Sequence, residues 1–199
     1  MNWSRAANSA RSEESQPTAS RERELVARVG AKELHAFETL YRTYQPRLAR
    51  FLGTVLQRSP LIEEVLDDTM ITVWQTAANF RGASKPSTWI FAIAYRKAIK
   101  AKARWPDPLE DDALETRVDP DALPDEKLQQ RRLHNALRQA MQQLSAEHRA
   151  VVDLTYFHGL GYREIADIVG CPAETVKTRV FHARQRLRKA LAGNFADWL

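Results

Sequence analysis

One cysteine, Cys171, is present in 199 residues, so an internal disulfide and a metal site built from several thiolates are both excluded. That suits a reducing compartment, and the small, weakly polar side chain reads as turn packing rather than as a redox sensor. Glycine is scarce, at 7 residues, and long β-branched runs are missing, which argues against a sandwich or barrel and for helices. No stretch approaches the roughly 18 apolar residues of a membrane span, and no apolar signal core follows the charged and polar N-terminus. The protein is expected to be soluble and cytoplasmic, with no membrane insertion. Catalytic apparatus is missing too. His35, His134, His148, His158 and His182 stand without a paired nucleophile, metal-ligand spacing or a glycine-rich phosphate loop. Each reads as a surface or groove-facing histidine, and no enzyme activity, cofactor or metal is expected.

What the chain does have is charge in blocks. The formal net charge is +5, made of 17 basic and 10 acidic residues in 1–104, 2 and 9 in 105–130, and 11 and 6 in 131–199. Two basic ends joined by an acidic connector suggest two modules that face nucleic acid and a link that does something else. Residues 1–20, rich in Ser, Ala, Arg and Glu without an apolar period, are expected to be a disordered tail.

The most informative stretch is GYREIADIVGCPAETVKTRVFHARQRLRKAL, residues 161–191. A short helix over Tyr162 to Val169 is expected to stop at Gly170, which can adopt positive φ, and Pro172 sits where a second helix begins. In that second helix Val176, Val180, Ala183, Leu187 and Leu191 recur at three-four spacing and form one apolar stripe. The other side carries Lys177, Thr178, Phe181, His182, Arg184, Gln185 and Arg188. This is a helix-turn-helix pattern whose second helix is suited to the major groove; a helical hairpin with a solvated basic face has the same local pattern.

From residue 21 to 104 the period is helical almost throughout. Phe37, Leu40, Tyr41, Tyr44, Leu48, Phe51, Leu52 and Val55 mark one face, and Ser59-Pro60 breaks the run. Ile62, Val65, Leu66, Thr69, Met70, Val73, Trp74 and Ala77 then trace the next helix. Glu63, Glu64, Asp67 and Asp68 crowd its other side, where they suit either the positive end of the helix dipole or a basic protein partner. After the loop FRGASKPS, Ser87 is a plausible cap for a helix running to Arg104. Its basic residues Arg96, Lys97, Lys100, Lys102 and Arg104 could track phosphates, with Phe91, Tyr95 or Trp89 available to stack on bases. For Trp89, burial in the core is the favoured reading.

The order and spacing of FETLYRTYQPRLARFL (37–52), LIEEVLDDTMITVWQTAANFRGASKPSTWIFAIAYRKAI (61–99) and the stretch 137–191 resemble the extracytoplasmic-function sigma factors, small initiation subunits of bacterial RNA polymerase. The resemblance spans nearly all of 21–192. It implies an all-α fold of two small helical domains: σ2 over 21–104 and σ4, with its helix-turn-helix, over 131–192. A flexible acidic linker over 105–130 joins them, and a tail follows over 193–199. It implies core RNA polymerase, promoter DNA and an anti-sigma factor as partners, with all chemistry left to the polymerase.

Residue by residue, the resemblance places Glu64, Asp67 and Asp68 against the core polymerase, where relatives often have Gln-Glu in place of Asp67-Asp68. It places Ala83, Ser84 and Lys85 at a flipped base of the −10 element, with Arg96, Lys97 and Lys100 on the following helix; Arg96 stands where Asn is common. For the −35 element it assigns Lys177, Phe181 and His182 to bases, and Thr175, Thr178, Arg179 and Arg184 to the groove or phosphates. His182 often appears as Arg in relatives. The acidic linker resembles the connector that threads toward the polymerase active-site cleft, although a solvated, self-repelling spacer has the same composition. The competing function is a conventional regulator that binds one duplex site through 161–191 and uses 21–104 for sensing or dimerisation.

Overall fold

In the computed structural model, residues 20–104 and 125–195 are described. The expected tail up to residue 19, the linker over 105–124 and the last residues from 196 lie outside them. The described residues form helices without strands. Residues 20–30 make α1, which buries Val26 and Val29. A Cβ on Gly30 would lie 3.0 Å from the backbone N and Cα of Ala78, so the end of α1 can close on that segment only because no side chain intervenes. Lys32, at φ 66°, turns the chain, and its ammonium donates to the Trp74 carbonyl at 2.6 Å.

The apolar spacing on α2 (Leu34–Leu56) buries Ala36, Leu40, Tyr44, Leu48, Phe51, Leu52, Val55 and Leu56. Pro46 sits inside this helix on its exposed side, where the hydrogen bond it removes can be replaced by water. Helix α3 spans Ser59–Thr76 with Pro60 in its first turn. The expected break at Ser59-Pro60 is thus the helix start, since proline's missing N–H costs little there. This start leaves the first turn without an acidic residue. The dipole therefore does not account for the carboxylates, which begin one turn further in. A single 3-10 turn, Ala77–Asn79, follows. Helix α4 (Pro86–Arg104) begins one residue before Ser87, which is buried in the first turn instead of capping it.

In the C-terminal module α5 (Asp125–Gln142) starts within the acidic stretch. Helix α6 (Ala146–Tyr156) is capped by Ser145, whose hydroxyl accepts from the His148 N–H. Helix α7 (Tyr162–Val169) ends at Gly170, φ 68°, and α8 (Ala173–Phe195) follows. The apolar stripe of α8 packs inward, with Val176, Val180 and Ala183 buried.

The two modules share one contiguous core. Helix α6 packs on α2, and α7 on α4, so Phe51, Val55, Phe91 and Ala94 belong to the same buried cluster as Ala150, Leu154, Ile165 and Ile168. Each fully buried aliphatic or aromatic side chain contributes about 1.5–3 kcal/mol. Gly30→Val should lower the unfolding free energy by about 1–3 kcal/mol, because backbone rather than a movable side chain meets the new methyls. Urea denaturation checks this, with helicity of the folded form unchanged.

Candidate nucleic-acid and protein-docking interfaces

Three surfaces emerge from this packing. The first is the outer face of α8. Burying Val176, Val180 and Ala183 turns Lys177, Thr178, Phe181, His182 and Arg184 to solvent. Phe181 is 56% exposed and meets the His182 ring edge-on at 5.5 Å. Lys177 lies 3.7 Å from Glu174 one turn earlier, a weak exposed pair that a phosphate or base edge can displace. The Thr178 hydroxyl donates back to the Glu174 carbonyl. Two expected contacts depart from this face. Thr175 is half-buried. Arg179, also half-buried, donates to Cys171 Sγ at 3.9 Å and lies near Tyr95 of α4, whose phenol is raised chiefly by burial. Arg179 is therefore turned toward the N-terminal module rather than offered to DNA.

The second surface is the loop before α4 and the basic side of that helix. Ala83, Lys85, Arg96 and Lys100 are exposed and Ser84 is half-buried. Lys85 pairs with Glu164 of α7 at 2.8 Å, and Lys97 pairs with Asp68 of α3 at 3.4 Å. The stacking role open to Phe91 and Tyr95 is not available here: both are buried, Phe91 with Phe51 of α2 and the His158 ring edge-on to it. Trp89 is half-buried against Phe80, centroids 4.9 Å apart, in keeping with a core role.

The third surface is the acidic side of α3. Glu63, Glu64, Asp67 and Asp68 are all exposed. The Tyr41 hydroxyl donates to Asp67 at 3.2 Å, and burial followed by this bond raises the phenol. Ile71, which the apolar period did not single out, is 51% exposed one turn beyond Asp67 and Asp68, so a large aliphatic group stands among carboxylates. A lone exposed isoleucine is common; one beside a run of carboxylates suits a docking patch, in which apolar surface meets a polar rim.

Sequence reasoning missed one more group. His158 is a buried, not a surface, histidine. Its side chain is 6% exposed and lies 3.2 Å from Asp153, with the Phe91 ring 4.6 Å away. The available signal was a charged residue at 149 and another at 153 within an otherwise apolar stretch.

A two-module helical protein with an outward helix-turn-helix, a basic helix beside it and an acidic docking face belongs to the DNA-directed, partner-dependent class. The family models Sigma-70 region 2 and Sigma-70, region 4 match residues 40–105 and 134–187. Among curated relatives, RNA polymerase sigma-H factor of Pseudomonas aeruginosa is 30% identical over 185 residues, covering 87% of this chain and 95% of its own. ECF RNA polymerase sigma factor RpoE of Cereibacter sphaeroides is 33% identical over 163 residues, covering 79% and 87%. Two solved structures share the fold. CnrH, in complex with the cytosolic domain of CnrY, has TM-score 0.63 and 21% identity, covering 86% of this chain and 97% of that one. RpoE of Bartonella quintana, with the anti-sigma factor NepR, has TM-score 0.59 and 24% identity, covering 78% and 96%. The chain belongs to the sigma-70 family as an extracytoplasmic-function sigma factor. It works with core RNA polymerase in promoter-specific transcription initiation and is not itself an enzyme. Among the described residues no helix is long and apolar enough to cross a membrane.

Proposed function

We propose that the three surfaces divide the work of initiation. σ4 reads the −35 element through Lys177, Phe181 and His182, with Thr178 and Arg184 on phosphates; σ2 opens the −10 element through Ala83, Ser84, Lys85, Arg96 and Lys100; and Glu64, Asp67 and Asp68, with Ile71 one turn beyond them, dock on core polymerase. The observation that carries this reading is the exposed face of α8, polar and aromatic opposite a stripe buried at Val176, Val180 and Ala183. Thr175, Arg179 and Lys97 join the DNA only if the module contacts and the Asp68 pair give way. The work is done in the cytoplasm, where promoter DNA is. A protein inhibitor is the remaining partner, supported by the complexes in which the CnrH and Bartonella RpoE chains were solved.

The docking patch is tested by Asp67→Lys combined with Asp68→Lys. Attraction becomes repulsion at the rim, so co-purification with core polymerase should be lost while circular dichroism stays unchanged. Retained co-purification would remove this face from the assignment.

The two kinds of −35 contact separate in binding measurements. Lys177→Ala and Phe181→Ala should weaken promoters with an intact −35 element more than altered ones, by about 1–3 kcal/mol for a base contact. Arg184→Ala should instead weaken all sequences alike and reduce the salt slope by about 1. Equal loss across −35 variants for Lys177→Ala would refute base reading.

For the −10 surface, Lys85→Ala should leave polymerase binding intact and slow strand separation, seen as reduced permanganate reactivity of −10 thymines. A pre-melted template should restore much of the signal, because the unstacking cost of a few kcal/mol is already met. Arg96→Asn should change −10 base preference more than total affinity. Equal defects on duplex and bubble templates would exclude a role in opening.

A further inference from the structure

Two arginines of α2 stand one turn apart, and the promoter and polymerase surfaces leave both unassigned. The Arg50 guanidinium lies over the Phe157 ring at 3.7 Å. So short a distance is a face-to-face contact, because a guanidinium that pointed an N–H at the ring would hold its carbon farther away. Arg47 lies over the Tyr44 ring at 4.9 Å and over that of Phe91 at 5.6 Å. Stacking occupies the face of a guanidinium and leaves the N–H groups on its edge to bind something else. Each arginine also has a carboxylate nearby, yet neither pair is within hydrogen-bond distance: Glu22 is 3.6 Å from Arg47, and Asp153 is 3.9 Å from Arg50. The Glu22 and Asp153 side chains are 14% and 1% exposed, against 35% and 53% for Arg47 and Arg50. The carboxylates therefore balance the cations from the protein side and leave the solvent side open.

On that open side is a cleft of about 340 Å³ lined by Pro46, Arg47, Arg50, Phe157 and His158. No acidic residue lines it. His158 is buried in its wall, and the Nε2 atom makes no hydrogen bond. Phe157, by contrast, is half exposed. Ligand clefts run from about 300 to 1,000 Å³, so this one suits a small molecule rather than a folded segment. Two forked donors call for paired anionic oxygens, which phosphates supply, and an exposed ring beside them offers a flat apolar surface to a base. A solvated basic face accounts for cations on α2; it does not account for cations held against aromatic rings in the wall of a cleft.

We infer that this cleft, between α2 and the turn after α6, binds a free nucleoside polyphosphate. Arg47 and Arg50 grip the phosphates through their edges, and the exposed part of the Phe157 ring packs on the base. Magnesium is not required, since the lining has no carboxylate to share it and the two guanidiniums supply the counter-charge. The site rests on none of the promoter or polymerase assignments.

The test titrates the full chain with ADP in EDTA, followed by calorimetry. One saturable site is expected, for which inorganic pyrophosphate competes and adenosine does not. Arg50→Ala and, separately, Arg47→Ala should weaken ADP binding by about tenfold or more, as expected when hydrogen bonds to a charged group are lost. Arg50→Lys should not restore it, because an ammonium keeps the charge without the fork or the flat face. Phe157→Leu should weaken ADP by about fivefold or more and pyrophosphate by less. Lys189→Ala, at an exposed cation of α8 outside the cleft, should change neither. Should Arg47→Ala fail to fold, the exposed Arg50 decides alone. No saturation by about 1 mM ADP, or a dissociation constant that Arg50→Ala moves by less than about twofold, overturns the site. Full recovery in Arg50→Lys, or an equal loss in Lys189→Ala, would show attraction by charge alone and overturn it too. Unchanged ADP binding in Phe157→Leu would overturn the base contact.

Discussion

A carboxylate withdrawn from water must be matched by donors, and Asp153 is the point where this requirement organises the molecule. It sits in α6 between two valines and a leucine of the core; Oδ1 accepts from Thr54 of α2, and Oδ2 lies 3.2 Å from the His158 ring without a hydrogen bond. Leaving a buried charge uncompensated costs about 3–5 kcal/mol, so α6 cannot rotate or slide on α2 without a large penalty. Arg149, one turn earlier, fixes the same register through the Val55 carbonyl. Apolar contacts between helices tolerate several packings; these polar ones tolerate one. The orientation of α7 over α4 follows from that registration.

Helix existence was legible because the apolar period was strong. The three-four spacing on α2 and α3, the stop at Gly170 and the buried stripe of α8 all follow from residue patterns that allow few alternatives. Helix starts were less legible. Ser59-Pro60 and Pro86-Ser87 each allow a break, a cap or a first turn, and in both places proline lies within the first turn. What the pattern could not supply was the partner of each buried face. Phe91 and Tyr95 sit beside cations and so invite a stacking role, yet both are buried, and Phe91 meets the His158 ring of the other module. Periodicity says that a face is buried and is silent about what buries it. His158 was misjudged for the same reason, since nothing near it in sequence supplies Phe91.

The candidate surfaces show the same division. Exposure of Lys177, Phe181, His182 and Arg184 was predictable from the stripe opposite them. Arg179 was not, because its direction is set by Cys171 and by Tyr95 of the other module. The Asp68–Lys97 pair ties a residue on the acidic side of α3 to one on the basic side of α4. Charge on α3 therefore tunes both faces, and their electrostatics are not independent.

The Thr54–Asp153 contact also dictates an order of assembly. Thr54 and Asp153 are 99 residues apart, so at ribosomal rates of about 5–20 residues per second the N-terminal module waits roughly 5–20 s for its counterpart. During that interval the sides of Phe51 and Phe91 that meet His158 have nothing from α6 or α7 against them. The modules therefore dock last, after local helical contacts have formed. The nascent chain passes through an obligatory stage at which an apolar face stands open to whatever waits at the tunnel exit, a window that closes only when α6 and α7 have emerged.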